Sequence, residues 1–277
     1  MLPSFLLALR EGFEIALILG IVFGALHQFK RRDLVPTVQL GAGIALLISL
    51  IGGIVLTLIG AAFEGRAEEI FEGVMMWTAA GVLTWMILWM QSRAHLIKKV
   101  LTEEVGSAAR VGKTALFVLA FVAVLREGIE LALFLTASVF ATGASQTVLG
   151  ALGGLLVAAL LGWGLYRASI KLNMRSFFQV TSILLVLFAA GLVAHGMHEF
   201  NEANIVPSVI EHVWDTNAVL DENSLAGQVM KTLFGYNGNP SLTEVLSYAT
   251  YFVVLFAATR PRKAALTSAA AEQQATG

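Results

Sequence analysis

The amino-acid sequence predicts an all-α polytopic membrane protein with seven transmembrane helices. Of its 277 residues, 57% are hydrophobic and only 13% are charged, and the mean hydropathy of +0.77 lies outside the range of soluble globular domains. Several apolar segments are long enough to cross a bilayer, and the basic residues concentrate in alternate loops. These observations exclude an ordinary soluble domain.

Seven apolar segments reach the roughly 20 residues that a membrane-spanning helix needs. The first contains Arg10, Glu11 and Glu14, charges that the apolar core of a cleavable signal peptide would not tolerate. We therefore interpret this segment as the first span. The seven segments cover residues 4–29, 35–61, 71–91, 114–140, 147–168, 177–199 and 243–259.

The distribution of basic residues predicts the orientation. Fourteen of the 18 Lys and Arg residues follow spans one, three, five or seven, and loops rich in basic residues stay on the cytoplasmic side. The N-terminus is therefore expected outside and the C-terminus inside. The opposite loops are acidic. This is either a simple result of the basic residues being concentrated in the inner loops, or a feature that attracts cations to the outer face. The fourteen residues are Lys30, Arg31, Arg32, Arg93, Lys98, Lys99, Arg110, Lys113, Arg167, Lys171, Arg175, Arg260, Arg262 and Lys263.

The chain also repeats itself. Residues 5–19 and 121–135 share nine of fifteen identities at a shift of 116, and the two copies lie in spans of opposite direction. We therefore expect a 3+3 inverted repeat plus one helix, a recurring plan of transporters. The expected parts are a first three-helix repeat (1–112), a second (113–200), an outer acidic loop (201–242), the seventh helix (243–263) and a disordered cytoplasmic tail (264–277).

Each repeat begins with a charged pentapeptide inside an apolar span, Arg10–Glu14 and Arg126–Glu130. Charges within a membrane usually serve an ion route or a site. On a helix, residues three and four apart share one face, so the two faces together predict a metal site made of Glu11, Glu14, Glu127 and Glu130.

The arginines Arg10 and Arg126 would balance part of this charge and leave about two negative charges for a cation. The chain has no cysteine, and a site with only oxygen ligands suits hard cations. A simpler interpretation is that each arginine pairs with the glutamate four residues later and fastens helices together. That arrangement would leave Glu11 and Glu127 without a partner.

Further candidates lie toward the outer side. Glu69 and Glu72 stand where the outer loop enters span three, and we expect them at the outer mouth of the ion route. His198, Glu199 and Glu202 near the outer end of span six are possible auxiliary residues, although histidines at this depth commonly serve ordinary hydrogen bonds.

Several motifs resemble those of the oxidase-dependent iron transporters, which comprise the yeast high-affinity iron permease and bacterial ferrous iron permeases. The resemblance covers nearly the whole chain. It rests on both copies of Arg-Glu-Gly-x-Glu, on Glu69-Ile70-Phe71-Glu72-Gly73, on Leu83-Thr84-Trp85-Met86, on Ala189-Ala190-Gly191-Leu192, on His198-Glu199-Phe200-Asn201-Glu202-Ala203 and on Phe234-Gly235-Tyr236.

The resemblance implies an iron permease of the cytoplasmic (inner) membrane that transports Fe²⁺ or Fe³⁺ and holds no tightly bound cofactor. It carries the functional glutamates of the family onto Glu11, Glu14, Glu127, Glu130, Glu69 and Glu72. Its members work with a multicopper oxidase in fungi, and in bacteria with a periplasmic iron-binding or cupredoxin-like protein and a haem peroxidase. No nucleic-acid partner is expected.

Other functions remain open at this stage. Paired glutamates also hold di-metal centres, so an intramembrane di-metal carboxylate oxidoreductase is one alternative, although such bundles usually carry Glu-x-x-His and neither pentapeptide has it. A permease for another metal cation is a second. A seven-span sensor is a third, but fold analogy alone is weak support. The expectation is therefore a transporter and not an enzyme.

Overall fold

The regular secondary structure of the described part of the protein is entirely helical. A computed structural model describes residues 1–93, 97–168, 174–222 and 224–259, and these form nine α-helices, one short 3-10 turn (Arg32–Leu34) and no strand. The helices are α1 (Leu2–Gln28), α2 (Val35–Gly60), α3 (Arg66–Arg93), α4 (Ile97–Val111), α5 (Lys113–Thr142), α6 (Ala144–Ala168), α7 (Met174–Glu202), α8 (Leu225–Phe234) and α9 (Leu242–Thr259).

Seven of these helices coincide with the seven predicted apolar segments to within a few residues. Five of the described helices, α2, α3, α6, α7 and α9, are long and apolar enough to cross a membrane, so the chain is a multi-pass membrane protein. Helices α1 and α5 are 27 and 30 residues long, but each carries the three charges of its pentapeptide. Because of those charges, α1 and α5 are less apolar than the other five long helices and do not meet the same criterion of composition.

Two shorter helices were not predicted. Helix α4 follows α3 and is amphipathic, and it buries Leu101 and Val105 against α1 and α5. The Arg31 guanidinium donates a hydrogen bond of 3.0 Å to the Ala109 carbonyl in the last turn of α4. A search for apolar segments of membrane length did not detect α4, because this 15-residue helix is short and mixes charged with apolar residues.

Helix α8 lies in the outer loop and also escaped prediction. Its N-terminus is capped by the Ser224 hydroxyl, which accepts a hydrogen bond of 3.0 Å from the Gly227 amide. It ends at Gly235, whose left-handed backbone (φ 67°) lies against Gly191 of α7. A glycine is required at both positions because an added Cβ would meet backbone atoms. The outer loop is therefore folded onto α7.

The long helices pack across the two sequence repeats. Helix α1 packs most extensively against α6, α2 against α5, and α3 against α7, while α9 packs against α7. Helices α2, α6 and α9 expose rows of large apolar side chains, as helices in contact with lipid do. Helices α1, α3, α5 and α7 supply the buried core.

Small residues bring the helices of the two main pairs close together. In the α2–α5 pair, Gly41 lies against the Phe117 carbonyl, Gly128 against Ser49, and Gly53 against Ala132. The α1–α6 pair has matching contacts between Gly150 and Met1, Gly12 and Ala158, and Gly162 and Ala16. The two sets correspond residue by residue. Met1, Gly12 and Ala16 correspond to the α5 residues 116 positions later, and Gly41, Ser49 and Gly53 of α2 correspond to the α6 residues 109 positions later. Close backbone approach at small residues is typical of helix contacts in membranes.

Some sequence predictions concern residues outside the described part. The predicted disordered tail (264–277) and the basic residues Lys171, Arg260, Arg262 and Lys263 lie outside the described residues. The side chains of Arg93, Lys98, Lys99, Arg167 and Arg175 are likewise outside the description.

Candidate metal centre

The two pentapeptides meet inside the protein. Helices α1 and α5 are in direct contact, and the carboxylates of Glu11, Glu14 and Glu127 each offer one oxygen within 4.8 Å of the others. The fourth predicted ligand, Glu130, is buried one turn further along α5 and stands outside this group of three. The three glutamates and Glu130 are called the glutamate cluster below.

Each arginine pairs with the glutamate four residues later. The Arg10 Nε lies 3.2 Å from a Glu14 oxygen, and the Arg126 Nε lies 3.0 Å from a Glu130 oxygen. The second arginine is also 3.9 Å from Glu127. The helical i, i+4 geometry that the simpler interpretation requires is therefore present in both copies.

These ion pairs leave several carboxylate oxygens of the cluster without hydrogen-bond partners. Both carboxylate oxygens of Glu11, and one oxygen each of Glu127 and Glu130, are buried without a hydrogen-bond partner among the described residues. A buried carboxylate without a donor is strongly unfavourable. The arrangement therefore has negative charge and free carboxylate oxygens for a bound cation or for protons, and helix fastening alone does not account for Glu11.

The two arginines have different surroundings. The Arg10 side chain is fully buried, and its Nη2 lies 3.2 Å from the Met90 sulfur. The Arg126 side chain is 40% exposed, and its guanidinium carbon lies 4.9 Å from the centre of the Trp89 ring. Adjacent residues of α3 thus contact the arginines of the two repeats.

The outer candidates form a separate group. Glu72 on α3 interacts electrostatically with Glu199 and Glu202 on α7 and with Glu68, and Glu69 is among the charged neighbours of Glu199. The predicted mouth glutamates and the predicted auxiliary glutamates therefore lie on neighbouring helices, close enough for their charges to interact. An ion at this position would meet carboxylates from two helices.

A buried apolar layer separates the outer group from the glutamate cluster. Along α3, Met76, Leu83 and Met86 are at most 2% exposed, and they pack with Leu7 of α1 and Phe134 of α5. Glu72 and Met90 are 18 residues apart, about 27 Å along a helix. The two groups are therefore distinct, with close apolar packing between them.

His198 joins α7 to α9 through carboxylates on both sides of its ring. Its Nδ1 lies 3.1 Å from Glu244 and its Nε2 lies 3.2 Å from Glu202. Glu244 is buried and also accepts hydrogen bonds from Asn237, Ser241 and the Ser241 amide. This network fixes the outer end of α9.

Sequence reasoning missed several residues around the site. Glu244 could have been found, because Ser241-Leu-Thr-Glu244 is a capping-box pattern, and the reciprocal hydrogen bonds of that box are present. Trp89 and Met90 carried no such signal. Their roles depend on how α3 packs against the two pentapeptides, which spacing within α3 does not reveal.

Comparisons with known proteins point to one family. A family model described as the iron permease FTR1 family matches residues 1–267. Proteins named ferrous iron permease EfeU from Escherichia coli O157:H7 and Shigella sonnei are each 35% identical over 272 residues, covering 97% of this chain and 99% of theirs. The protein of that name from Yersinia pestis is 32% identical over 256 residues, covering 91% of each chain. No solved structure matches the chain significantly.

Proposed function

Since the chain belongs to the iron permease FTR1 family, we propose that it imports ferrous iron across the cytoplasmic membrane through the glutamate cluster. The ferrous state is taken from the names of its relatives. Oxygen ligands from carboxylates are compatible with Fe²⁺, although they do not distinguish it from other divalent cations. Selectivity must then depend on the number and spacing of the carboxylates.

The convergence of Glu11, Glu14 and Glu127 from opposite repeats carries this proposal. These residues are 113 to 116 positions apart in sequence between α1 and α5, yet one oxygen of each lies within 4.8 Å of the others. The buried, unpartnered oxygens of Glu11 and Glu127 would gain a counter-charge when a cation binds. Glu130 and the two arginines would set the net charge of the cluster.

The proposed topology has seven spans, with the N-terminus outside and the C-terminus inside. Helix α1 of the first repeat packs against α6 of the second, and α2 of the first packs against α5 of the second. This exchange of helix partners, with matched close contacts at Gly12 and Gly128, supports a two-fold inverted repeat. On this plan, residues 1–112 and 113–200 form the two repeats and 243–263 the seventh helix. The basic-loop pattern supports the direction of insertion.

The outer acidic loop (201–242) is the proposed contact surface for a protein that supplies iron. It carries α8 and lies next to Glu69, Glu72 and the His198 network. A periplasmic iron-binding or cupredoxin-like protein, working with a haem peroxidase or multicopper oxidase, remains the expected kind of partner.

A flux assay tests the proposal. Purified protein in liposomes should accumulate radioactive iron when Fe²⁺ is supplied anaerobically with ascorbate, and Glu14→Ala protein inserted at equal density should not. Fe³⁺ citrate is assayed in parallel. Equal uptake by the wild-type and Glu14→Ala proteins would contradict a role for the cluster, and uptake of Fe³⁺ alone would contradict the ferrous assignment.

A further inference from the structure

The glutamate cluster has buried apolar side chains on both sides along α1 and α5. Outward of it, Leu7 and Phe134 are fully buried, and inward of it, Val22 and Val124 are fully buried. Inward and outward here follow the topology proposed above. The cluster is therefore enclosed in both directions along these helices.

Arg126 is the exception. Its side chain is 40% exposed, whereas the other charged side chains of the two pentapeptides are at most 16% exposed. A guanidinium near the middle of a membrane helix is too costly to leave in contact with lipid, so its exposed part must be covered by protein or by water.

Trp89 stands beside this partly exposed Arg126 side chain. It lies in the last two turns of α3, near the inner end of that helix, and its ring is 4.9 Å from the Arg126 guanidinium carbon. An arginine over the face of an indole gains a favourable electrostatic contact, which is stronger where water is scarce. The long Arg126 side chain is thus drawn toward the inner edge of the cluster.

The position of this guanidinium decides whether Glu127 is available. The Arg126 Nε is 3.0 Å from Glu130 but 3.9 Å from Glu127, and one oxygen of Glu127 has no hydrogen-bond partner among the described residues. A small movement would bring the guanidinium onto Glu127, where it would neutralise the carboxylate that an ion needs.

We propose that Trp89 is a positioning residue that holds the Arg126 guanidinium at the inner edge of the glutamate cluster, so that Glu127 stays available to the transported ion. This inference rests on the proposed function, because it assigns the ion to the cluster. Arg10 needs no such restraint, since it is fully buried between α1 and Met90. The two repeats would then differ in function, with one arginine fixed by burial and one partly exposed arginine held by Trp89.

Iron binding by purified protein tests this role. The affinity for Fe²⁺ is measured anaerobically with the radioactive ion for wild-type, Trp89→Phe and Trp89→Leu proteins. Trp89→Leu should weaken binding by about twofold to thirtyfold, the range expected for a lost cation–π contact, while Trp89→Phe, which keeps an aromatic face, should stay within about twofold of wild type. Trp85→Leu, an exposed tryptophan one turn earlier on α3, serves as the matched control and should bind normally.

The same substitution in Arg126→Gln protein distinguishes an effect of Trp89 on the Arg126 guanidinium from an effect of Trp89 on helix packing. In Arg126→Gln protein there is no guanidinium to hold, so adding Trp89→Leu should change the affinity by less than about twofold. Wild-type affinity in Trp89→Leu protein, or an equal loss in both backgrounds, would overturn the inference. If Trp89→Leu protein is not monodisperse, Trp89→Met replaces it in both backgrounds. Failure of the wild-type protein to bind iron would instead contradict the proposed function.

Discussion

At the scale of single residues, Glu11 is the most informative side chain. It is fully buried, and neither of its oxygens has a hydrogen-bond partner among the described residues. The sequence predicted that this glutamate would lack an ion-pair partner, because Arg10 pairs four residues further on. It could not predict which three carboxylates converge, since that depends on how α1 crosses α5.

Replacing Glu11 should raise the stability of the iron-free protein while abolishing its stabilisation by iron. Glu11→Gln removes a buried charge, so the iron-free protein should melt about 2–5 °C higher than wild type, while the stabilisation that Fe²⁺ gives to wild type should disappear. Thermal unfolding in detergent, with and without Fe²⁺, measures both. A lower melting temperature without iron, together with normal stabilisation by iron, would show that Glu11 is not an ion ligand.

The two carboxylate stations should affect transport differently. Glu69→Gln, at the outer mouth, should raise the iron concentration needed for half-maximal uptake, because it weakens capture. Glu127→Gln, in the cluster, should lower the maximal rate at every iron concentration. Initial uptake rates over a range of Fe²⁺ concentrations distinguish these effects. A loss of maximal rate in Glu69→Gln equal to that in Glu127→Gln would favour one continuous site.

At the scale of helices, the long apolar elements were predictable and the amphipathic ones were not. Membrane length and hydropathy located α1–α3, α5–α7 and α9, because lipid requires continuous apolar helices. Helices α4 and α8 are stabilised by burying one face against other helices, which a search by length does not detect. The pairing of α1 with α6 could not be predicted either, since a repeat shows which helices are equivalent but not which are in contact.

Two glycines of α1 give a matched test of that pairing. A Cβ at Gly12 would lie 2.9 Å from the Ala158 Cβ of α6, whereas none of the described atoms outside its own helix lies within 4 Å of a Cβ at Gly20. Gly12→Val should therefore force α1 and α6 apart and reduce folded protein and uptake several-fold, while Gly20→Val should be tolerated. Membrane yield and elution on size-exclusion chromatography measure the difference. Equal behaviour of the two variants would contradict the α1–α6 contact.

At the scale of the whole molecule, the direction of insertion is still a prediction. Val219 in the outer loop is 91% exposed and Val111 at the end of α4 is 81% exposed, and the chain has no cysteine. Single cysteines at these two positions should therefore react differently with an impermeant thiol reagent in intact cells. Val219→Cys should be labelled and Val111→Cys should not; after membrane disruption both should be labelled. The opposite pattern in intact cells would invert the topology.

The exchange of helix partners has a consequence for synthesis of the chain. Helix α1 buries its charged pentapeptide against α5 and α6, and neither has been made when α1 leaves the ribosome. Three charges cannot rest in lipid for the time that about 100 further residues require. Helix α1 must therefore wait in a polar setting, beside the insertion machinery or at the membrane surface, until its partners arrive. The element that begins the chain is thus among the last to reach its final place.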